Sequence, residues 1–283
     1  MEAEPIATTT SRAGGVGGFL HAVIAAALAL VSVWGALGLI GVGTDTLISD
    51  VVVDDALYYV KPAQNLWAGK GYSFDGEGRS NGVQPLWAVV AIAVTGAMTD
   101  TVAALRTLCA LSAAFWFAAA IVLHMALARF DRWMALFLAA IWVGVGFSSR
   151  LAFQAMENGL HAFILSLLIA VAVRQWCGGD RPRSGPRFYF LLGLLLALFT
   201  LTRVDSGLFA LLTGLAVLLG LVRADGTSWL GFRLVPALAL ALPGLVLVGA
   251  CLALNHYYFG SAAPISGRVK LFYSSEWGYA HGG

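Results

Sequence analysis

The chain has 283 residues, of which 59% are hydrophobic and 11% charged, and its formal net charge is +2. Its mean hydropathy of +0.82 excludes an ordinary soluble domain and places it among polytopic helical membrane proteins. The arginines are scattered over short loops, which gives no support to nucleic-acid binding. Cys109, Cys177 and Cys251 are isolated, which favours small buried side chains over a metal site or disulfides.

The N-terminal segment 1–18 is polar and glycine-rich, and we expect a disordered tail on the cytoplasmic side. The following stretch, Phe19 to Ile40, is long enough to cross about 30 Å of hydrocarbon. No basic start or early cleavage site marks it as a signal peptide. We therefore predict a retained first span that opens a transmembrane domain over 19–283.

Apolar stretches predict an all-α bundle. They lie near 19–42, 85–99, 101–128, 133–147, 159–173, 188–201, 206–222 and 234–254. If all of them crossed the membrane, the arginine-rich loop 174–187 would lie on the same side as Asp54, against the positive-inside bias. Treating the short stretch 85–99 as re-entrant or juxtamembrane removes the conflict. About seven crossings then put 174–187 in the cytoplasm and the first loop, 43–84, outside.

The first external loop carries two adjacent carboxylates, Asp54 and Asp55. Neighbouring like charges repel, so one of the two holds its proton more tightly. This suits a general base, a metal ligand or a cation site. The aromatic residues from Tyr58 to Trp87 could instead form an interfacial belt, and the glycines of the loop could form turns. This alternative does not account for the two aspartates.

Three later clusters share the external face. Glu157 stands at the start of a span, where interaction with the helix dipole is an alternative role. Arg203 and Asp205 interrupt an apolar stretch, either as a short turn or as a polar site in the bundle. The segment 255–273 brings Asn255, His256, Arg268 and Lys270, whose cations suit an anionic ligand such as phosphate unless they are merely solvated.

The order of these clusters resembles the membrane-embedded GT-C glycosyltransferases that use lipid-phosphate-linked sugars. Asp54-Asp55 stands where that superfamily has its acidic motif, directly after the first span. The segments 69–87, QAMEN at 154–158, LTRVDSG at 201–207 and 255–270 look like the later motifs of bacterial members, including arabinofuranosyltransferase-like and family 39-like proteins. Relatives usually continue beyond this length, so we expect the chain to be the N-terminal part of a longer enzyme.

The resemblance implies an inverting transfer from a polyprenyl-phosphate sugar to a glycan, lipid or protein acceptor, in cell-envelope biogenesis at the external face of a bacterial plasma membrane. Asp54 would be the general base, and Asp55 would orient the acceptor or help hold a divalent cation. Donor phosphate would be bound by Lys270, Arg268 and Arg203. Substrate or acceptor contacts would come from Tyr58, Tyr59, Asn81, Gln84, Glu157, Asn255 and His256. A metal, if used, would involve Asp55, Glu157 and His256.

Two rival functions remain open. Charges within the membrane also mark transporter and flippase pathways, although the two halves of the chain show no repeat of the kind common in transporters. A non-catalytic chain with the same fold is the other possibility. No phosphate-binding loop, nucleophile elbow or zinc motif is present in the sequence.

Overall fold

The structure, a computed structural model, describes residues 13–176, 185–221 and 234–262. The helices in chain order are α1 (Ala13–Gly41), α2 (Thr44–Thr46), α3 (Leu57–Trp67), α4 (Pro85–Ala97), α5 (Thr101–Leu127), α6 (Arg132–Ser148), α7 (Asn158–Trp176), α8 (Pro186–Thr202), α9 (Gly207–Leu218) and α10 (Leu234–Phe259). A π turn at Leu47–Val51 and 3-10 turns at Asp54–Ala56 and Val204–Ser206 lie in the connections. Within these ranges the all-α prediction is confirmed.

Four of the described helices are long and apolar enough to cross a membrane. They are Gly17–Gly38, Thr101–Leu127, Asn158–Gln175 and Leu234–Phe259. In α1 and α10 only 6% and 11% of the most apolar window is buried, so these helices turn most of their apolar side chains outward. Such surfaces suit a hydrocarbon environment. The chain is therefore an all-α membrane protein.

The first helix begins at Ala13, inside the segment 1–18 that the sequence led us to expect as a disordered tail. Adding residues to a helix that has already formed is much easier than starting one, so an apolar span extends into a small-residue flank. Residues 1–12 lie outside the described part of the chain.

The bundle is built around α5, which packs most extensively against α7, while α8 packs most extensively against α10. Two glycines permit these contacts. Gly159 of α7 faces the backbone of Ser112, and Gly193 of α8 faces the backbone of Leu240, each leaving no room for a Cβ atom. Close backbone approach at small residues is a common way for helices to associate in membranes.

Contacts between distant segments define the two ends of the bundle. At one end, called the polar end below, Glu157 lies beside Tyr59 and Arg203, and Arg79 reaches the carbonyl oxygen of Tyr258. At the opposite end the His21 imidazole lies 3.2 Å from the carbonyl oxygen of Arg132. The four segments predicted to share one face therefore meet at the polar end, as far as each is described.

Helix α4 is only 13 residues long and lies along α3. The Gln84 backbone at its start bonds the hydroxyl of Tyr59, and the Ile92 carbonyl in its second half accepts from the indole of Trp67. The next helix begins at Thr101, which accepts a hydrogen bond from Gln64 of α3. Both ends of α4 thus stay beside α3, and the helix spans roughly 20 Å, short of the hydrocarbon thickness.

Candidate functional site

The acidic pair lies on the surface of the polar end. Asp54 and Asp55 form the 3-10 turn that leads into α3, and both side chains are exposed. The carboxylate of Asp54 accepts a hydrogen bond of 3.0 Å from the Asp55 backbone. No ion pair to either carboxylate occurs within the described ranges. Both groups are therefore accessible to a ligand.

One turn further along α3, Tyr59 enters the interior. Its hydroxyl donates to Oε2 of Glu157 over 2.8 Å and accepts from the backbone N–H of Gln84 over 3.2 Å. Burial, and then the negative charge of Glu157, raise the pKa of Tyr59 well above its usual range. The hydroxyl thus stays protonated at neutral pH and keeps its proton for the carboxylate.

Glu157 is the buried carboxylate of this site, with 3% of the residue exposed. Its second oxygen, Oε1, lies 3.6 Å from a guanidinium nitrogen of Arg203. A buried carboxylate is tolerated when charge and hydrogen bonds compensate its desolvation, and here each oxygen has one such partner. The side chain is thereby committed to Tyr59 and Arg203, which is a more specific role than interaction with the dipole of α7.

Arg203 connects this buried pair to the surface. Its side chain is 39% exposed and also lies 3.4 Å from the carboxylate of Asp205. The following backbone N–H, of Val204, donates to Oε1 of Gln84 over 3.1 Å. Gln84 therefore holds the α8–α9 corner with its side chain and Tyr59 with its backbone. The turn and the polar site that the sequence left as alternatives are both present.

Trp87 locks the segment that precedes Glu157. The indole is fully buried and donates to the carbonyl oxygen of Ala155 over 2.9 Å. Ala155 has a φ of 57°, a left-handed conformation that costs a non-glycine residue about 1–2 kcal/mol. The interfacial-belt alternative is therefore wrong for Trp87, because its N–H is satisfied inside the protein. It is also wrong for Tyr59, whose hydroxyl is bonded to Glu157.

An apolar cavity of about 340 Å³ opens beside this network. Its walls come mainly from α4 and α10, including Leu86, Val89, Leu247 and Leu254. Three polar residues, Tyr72, Asn81 and Asn255, line the same cavity. The Tyr72 hydroxyl is buried and has no hydrogen-bond partner within the described residues, and burial raises its pKa. An uncharged hydrogen-bond donor therefore lines a mainly apolar groove.

Two predicted residues, Tyr58 and His256, show no contact with this network in the described part of the chain. Tyr58 is exposed and packs against the ring of Phe74, and His256 is exposed near the end of α10. Over the described ranges, no three histidine, cysteine or acidic side chains are grouped to hold a metal ion, so Asp55, Glu157 and His256 do not form such a group. Arg268 and Lys270 lie outside the described residues.

Removing the Tyr59 hydroxyl tests the buried network. We expect Tyr59→Phe to lower the free energy of unfolding by about 1.5–3 kcal/mol, since a hydrogen bond to a charged group is lost and Glu157 stays buried. Thermal unfolding in detergent measures the effect. The adjacent, exposed Tyr58→Phe is the control and should leave the stability within about 0.5 kcal/mol of wild type. Equal stability of the two variants would contradict the assigned hydrogen bond.

Comparison with known proteins does not assign the chain to a family. No family model, curated protein or solved structure matches the chain. The chemistry of the site is therefore inferred from its residues, their contacts and the resemblance of its motifs.

Proposed function

We propose that the chain is a membrane glycosyltransferase that moves a sugar from a polyprenyl-phosphate donor to an acceptor hydroxyl at the polar end. The observation that carries this proposal is the combination of two exposed carboxylates with an apolar groove at one end of the bundle. The base that deprotonates an acceptor hydroxyl must be accessible from water, whereas a polyprenyl chain must pack against apolar side chains. Arg203, whose side chain is 39% exposed at the same end, would supply a cation for phosphate.

Transfer requires one bond to form and one to break. The acceptor oxygen bonds to the anomeric carbon of the sugar while the bond from that carbon to the phosphate oxygen breaks. The hydroxyl proton passes to the carboxylate of Asp54, and polyprenyl phosphate leaves with the electron pair. Displacement from the opposite side inverts the anomeric configuration. Arg203, with Arg268 and Lys270, would stabilise the departing phosphate.

A divalent cation remains a proposal, although the described residues do not group its expected ligands, Asp55, Glu157 and His256. Both oxygens of Glu157 already have partners, Tyr59 and Arg203, so Glu157 does not fit as a metal ligand in this arrangement. The carboxylate of Asp55 is exposed and accessible to a cation. The transfer step above assigns no role to a metal.

The groove supports a place for the lipid part of the donor. Its walls come mainly from α4 and α10, and α10 is apolar and largely unburied, so a polyprenyl chain would enter from the surrounding lipid. We propose seven crossings, with α4 beside the membrane rather than through it. The connection that carries Arg129 and Arg132, the loop 174–187 and the segment that carries Arg223 and Arg233 then face the cytoplasm. The polar end faces the exterior of a bacterial plasma membrane.

Sugar transfer in proteoliposomes tests the function directly. The wild-type chain is supplied with radiolabelled polyprenyl-phosphate pentoses and hexoses and with glycan or lipid acceptors, and empty liposomes serve as the control. We expect a product of inverted anomeric configuration with one donor class. Movement of intact donor across the bilayer without transfer would instead identify a flippase. If the folded protein neither transfers sugar nor moves the donor, the chain is non-catalytic.

Tyr72 offers a test of the groove itself. Because the buried hydroxyl has no hydrogen-bond partner among the described residues, Tyr72→Phe should leave the unfolding free energy unchanged or raise it. If the hydroxyl bonds the donor, the same change should weaken donor affinity by about threefold to tenfold, the effect of one hydrogen bond. The exposed Tyr257→Phe, at the same end of the bundle, is the matched control. Unchanged donor affinity would remove Tyr72 from the binding site.

A further inference from the structure

A second polar cluster lies at the opposite end of the bundle, away from the proposed site. The rings of His21 and His124 stack with centroids 5.1 Å apart, and the indole of Trp133 packs edge-on against His21 at 5.6 Å. The imidazole of His21 lies 3.2 Å from the carbonyl oxygen of Arg132. This cluster therefore joins the first helix to the α5–α6 connection.

An apolar groove of about 590 Å³ runs from this cluster between α1, α5 and α6. Leu28, Phe117, Ile121 and Leu136 are among its walls. Two polar side chains, Ser32 and His124, line it as well. The Ser32 hydroxyl is satisfied by the carbonyl oxygen of Leu28 at 2.8 Å. The groove has a volume typical of small-molecule pockets. Because the Ser32 hydroxyl is already bonded, the hydrogen-bonding group left for a ligand is at the His124 end.

The Nδ1 atom of His124 is buried and has no hydrogen-bond partner among the described residues. Leaving such an atom unpaired costs free energy, and a protonated imidazole nitrogen can donate to an oxygen. Arg129 and Arg132 follow at the junction of α5 and α6, and their guanidinium groups lie over the rings of Phe130 and Trp133. Neither forms an ion pair with a carboxylate among the described residues. The nearby acid, Asp131, accepts the backbone N–H of Met134 at the start of α6. Arg132 is linked to the His124 end of the groove through His21, so this end has a cation nearby and favours an anion.

We propose that this groove binds an anionic phospholipid, with one acyl chain along α1 and α5 and the phosphate at His124 and Arg132. Charge complementarity and the apolar walls favour this occupant over a helix from another protein, which would fill the groove but bring no phosphate. Membranes supply anionic lipids in abundance, and their headgroups are attracted to basic residues at the surface. This site plays no part in sugar transfer, so a failure of the proposed function would not contradict it.

Lipid retention by the purified chain tests the site. Native mass spectrometry compares palmitoyl-oleoyl phosphatidylglycerol with phosphatidylcholine carrying the same acyl chains. We expect wild type to retain the anionic lipid preferentially and Arg132→Gln to reduce that preference by about fivefold, the effect of one cation near a membrane surface. Arg174→Gln, an exposed arginine on α7 outside the groove, is the control and should keep the wild-type preference. Equal preference in Arg132→Gln and wild type would overturn the proposal.

A second pair of variants tests the acyl-chain part without altering charge. Ala29 lines the groove, whereas Ala26 on the same helix is exposed and does not. We expect Ala29→Phe to lower the retention of both lipids several-fold and Ala26→Phe to leave it unchanged. Equal retention by the two variants would contradict the site. A dimer mass that disappears only in Ala29→Phe would show instead that a second copy of the chain occupies the groove.

Discussion

Asp54→Asn should lower sugar transfer by about 10²–10⁴-fold, the contribution of a positioned general base. Asparagine has nearly the same shape and can still accept a hydrogen bond from the Asp55 backbone, but it cannot take the acceptor proton. The exposed position of the side chain means that folding should be unaffected. Initial rates with saturating donor, compared with donor binding measured separately, distinguish a lost base from a lost binding site.

Two other carboxylates of the same loop complete this experiment. Asp55→Asn should reduce transfer less than Asp54→Asn, since we assign Asp55 to acceptor orientation. Asp50→Asn is the matched control, because Asp50 is exposed, precedes the acidic turn and accepts a hydrogen bond from Ser49. Wild-type rates in both Asp54→Asn and Asp55→Asn, with an active wild type, would exclude the pair as the catalytic group. A greater loss in Asp55→Asn would exchange the two roles.

The helices were predictable because a membrane leaves few alternatives for long apolar stretches, whose backbone groups must be satisfied internally. Each of the apolar stretches overlaps a helix of the structure, including the short one that became α4. The acidic pair was conspicuous for a related reason, since charges are only 11% of the chain. The positive-inside rule, applied to the arginine-rich loop 174–187, also predicted that the segments that meet at the polar end share one face.

The partners of Glu157 were not predictable, because they depend on contacts between distant parts of the chain. Tyr59 lies 98 residues away in sequence, and nothing in its neighbourhood distinguishes it from the exposed Tyr58. Gln84 bonds a backbone group 120 residues away. Side-chain direction at each of these positions is decided by how α3, α4 and α8 pack, which periodicity in a single sequence does not specify.

The burial of Trp87 was likewise not predictable from the sequence. An aromatic residue near a loop is equally compatible with a membrane interface and with the protein interior. Its interior position depends on the carbonyl oxygen of Ala155, which is presented by a left-handed backbone at an alanine. A glycine or asparagine would have signalled such a conformation, whereas an alanine gives no warning of it.

Gly159→Ala should destabilise the protein by about 3 kcal/mol or more, the upper part of the range for overpacking. The added methyl group would overlap with the backbone carbonyl of Ser112, so α5 and α7 would have to move apart. Unfolding in detergent measures the loss. Gly144→Ala on α6 is the control: no atom lies within 4 Å of its added Cβ, and the better helix propensity of alanine should raise stability slightly.

Gly159→Ala should also shift the position of Glu157, because Gly159 follows it by two residues at the start of α7. Moving α7 away from α5 carries the carboxylate away from the Tyr59 hydroxyl, which is fixed at the same time by the Gln84 backbone. We therefore expect Gly159→Ala to remove most of the stability that depends on Tyr59, so that adding Tyr59→Phe costs little more. Additive losses in the double variant would show that the α5–α7 contact and the Glu157 network are independent.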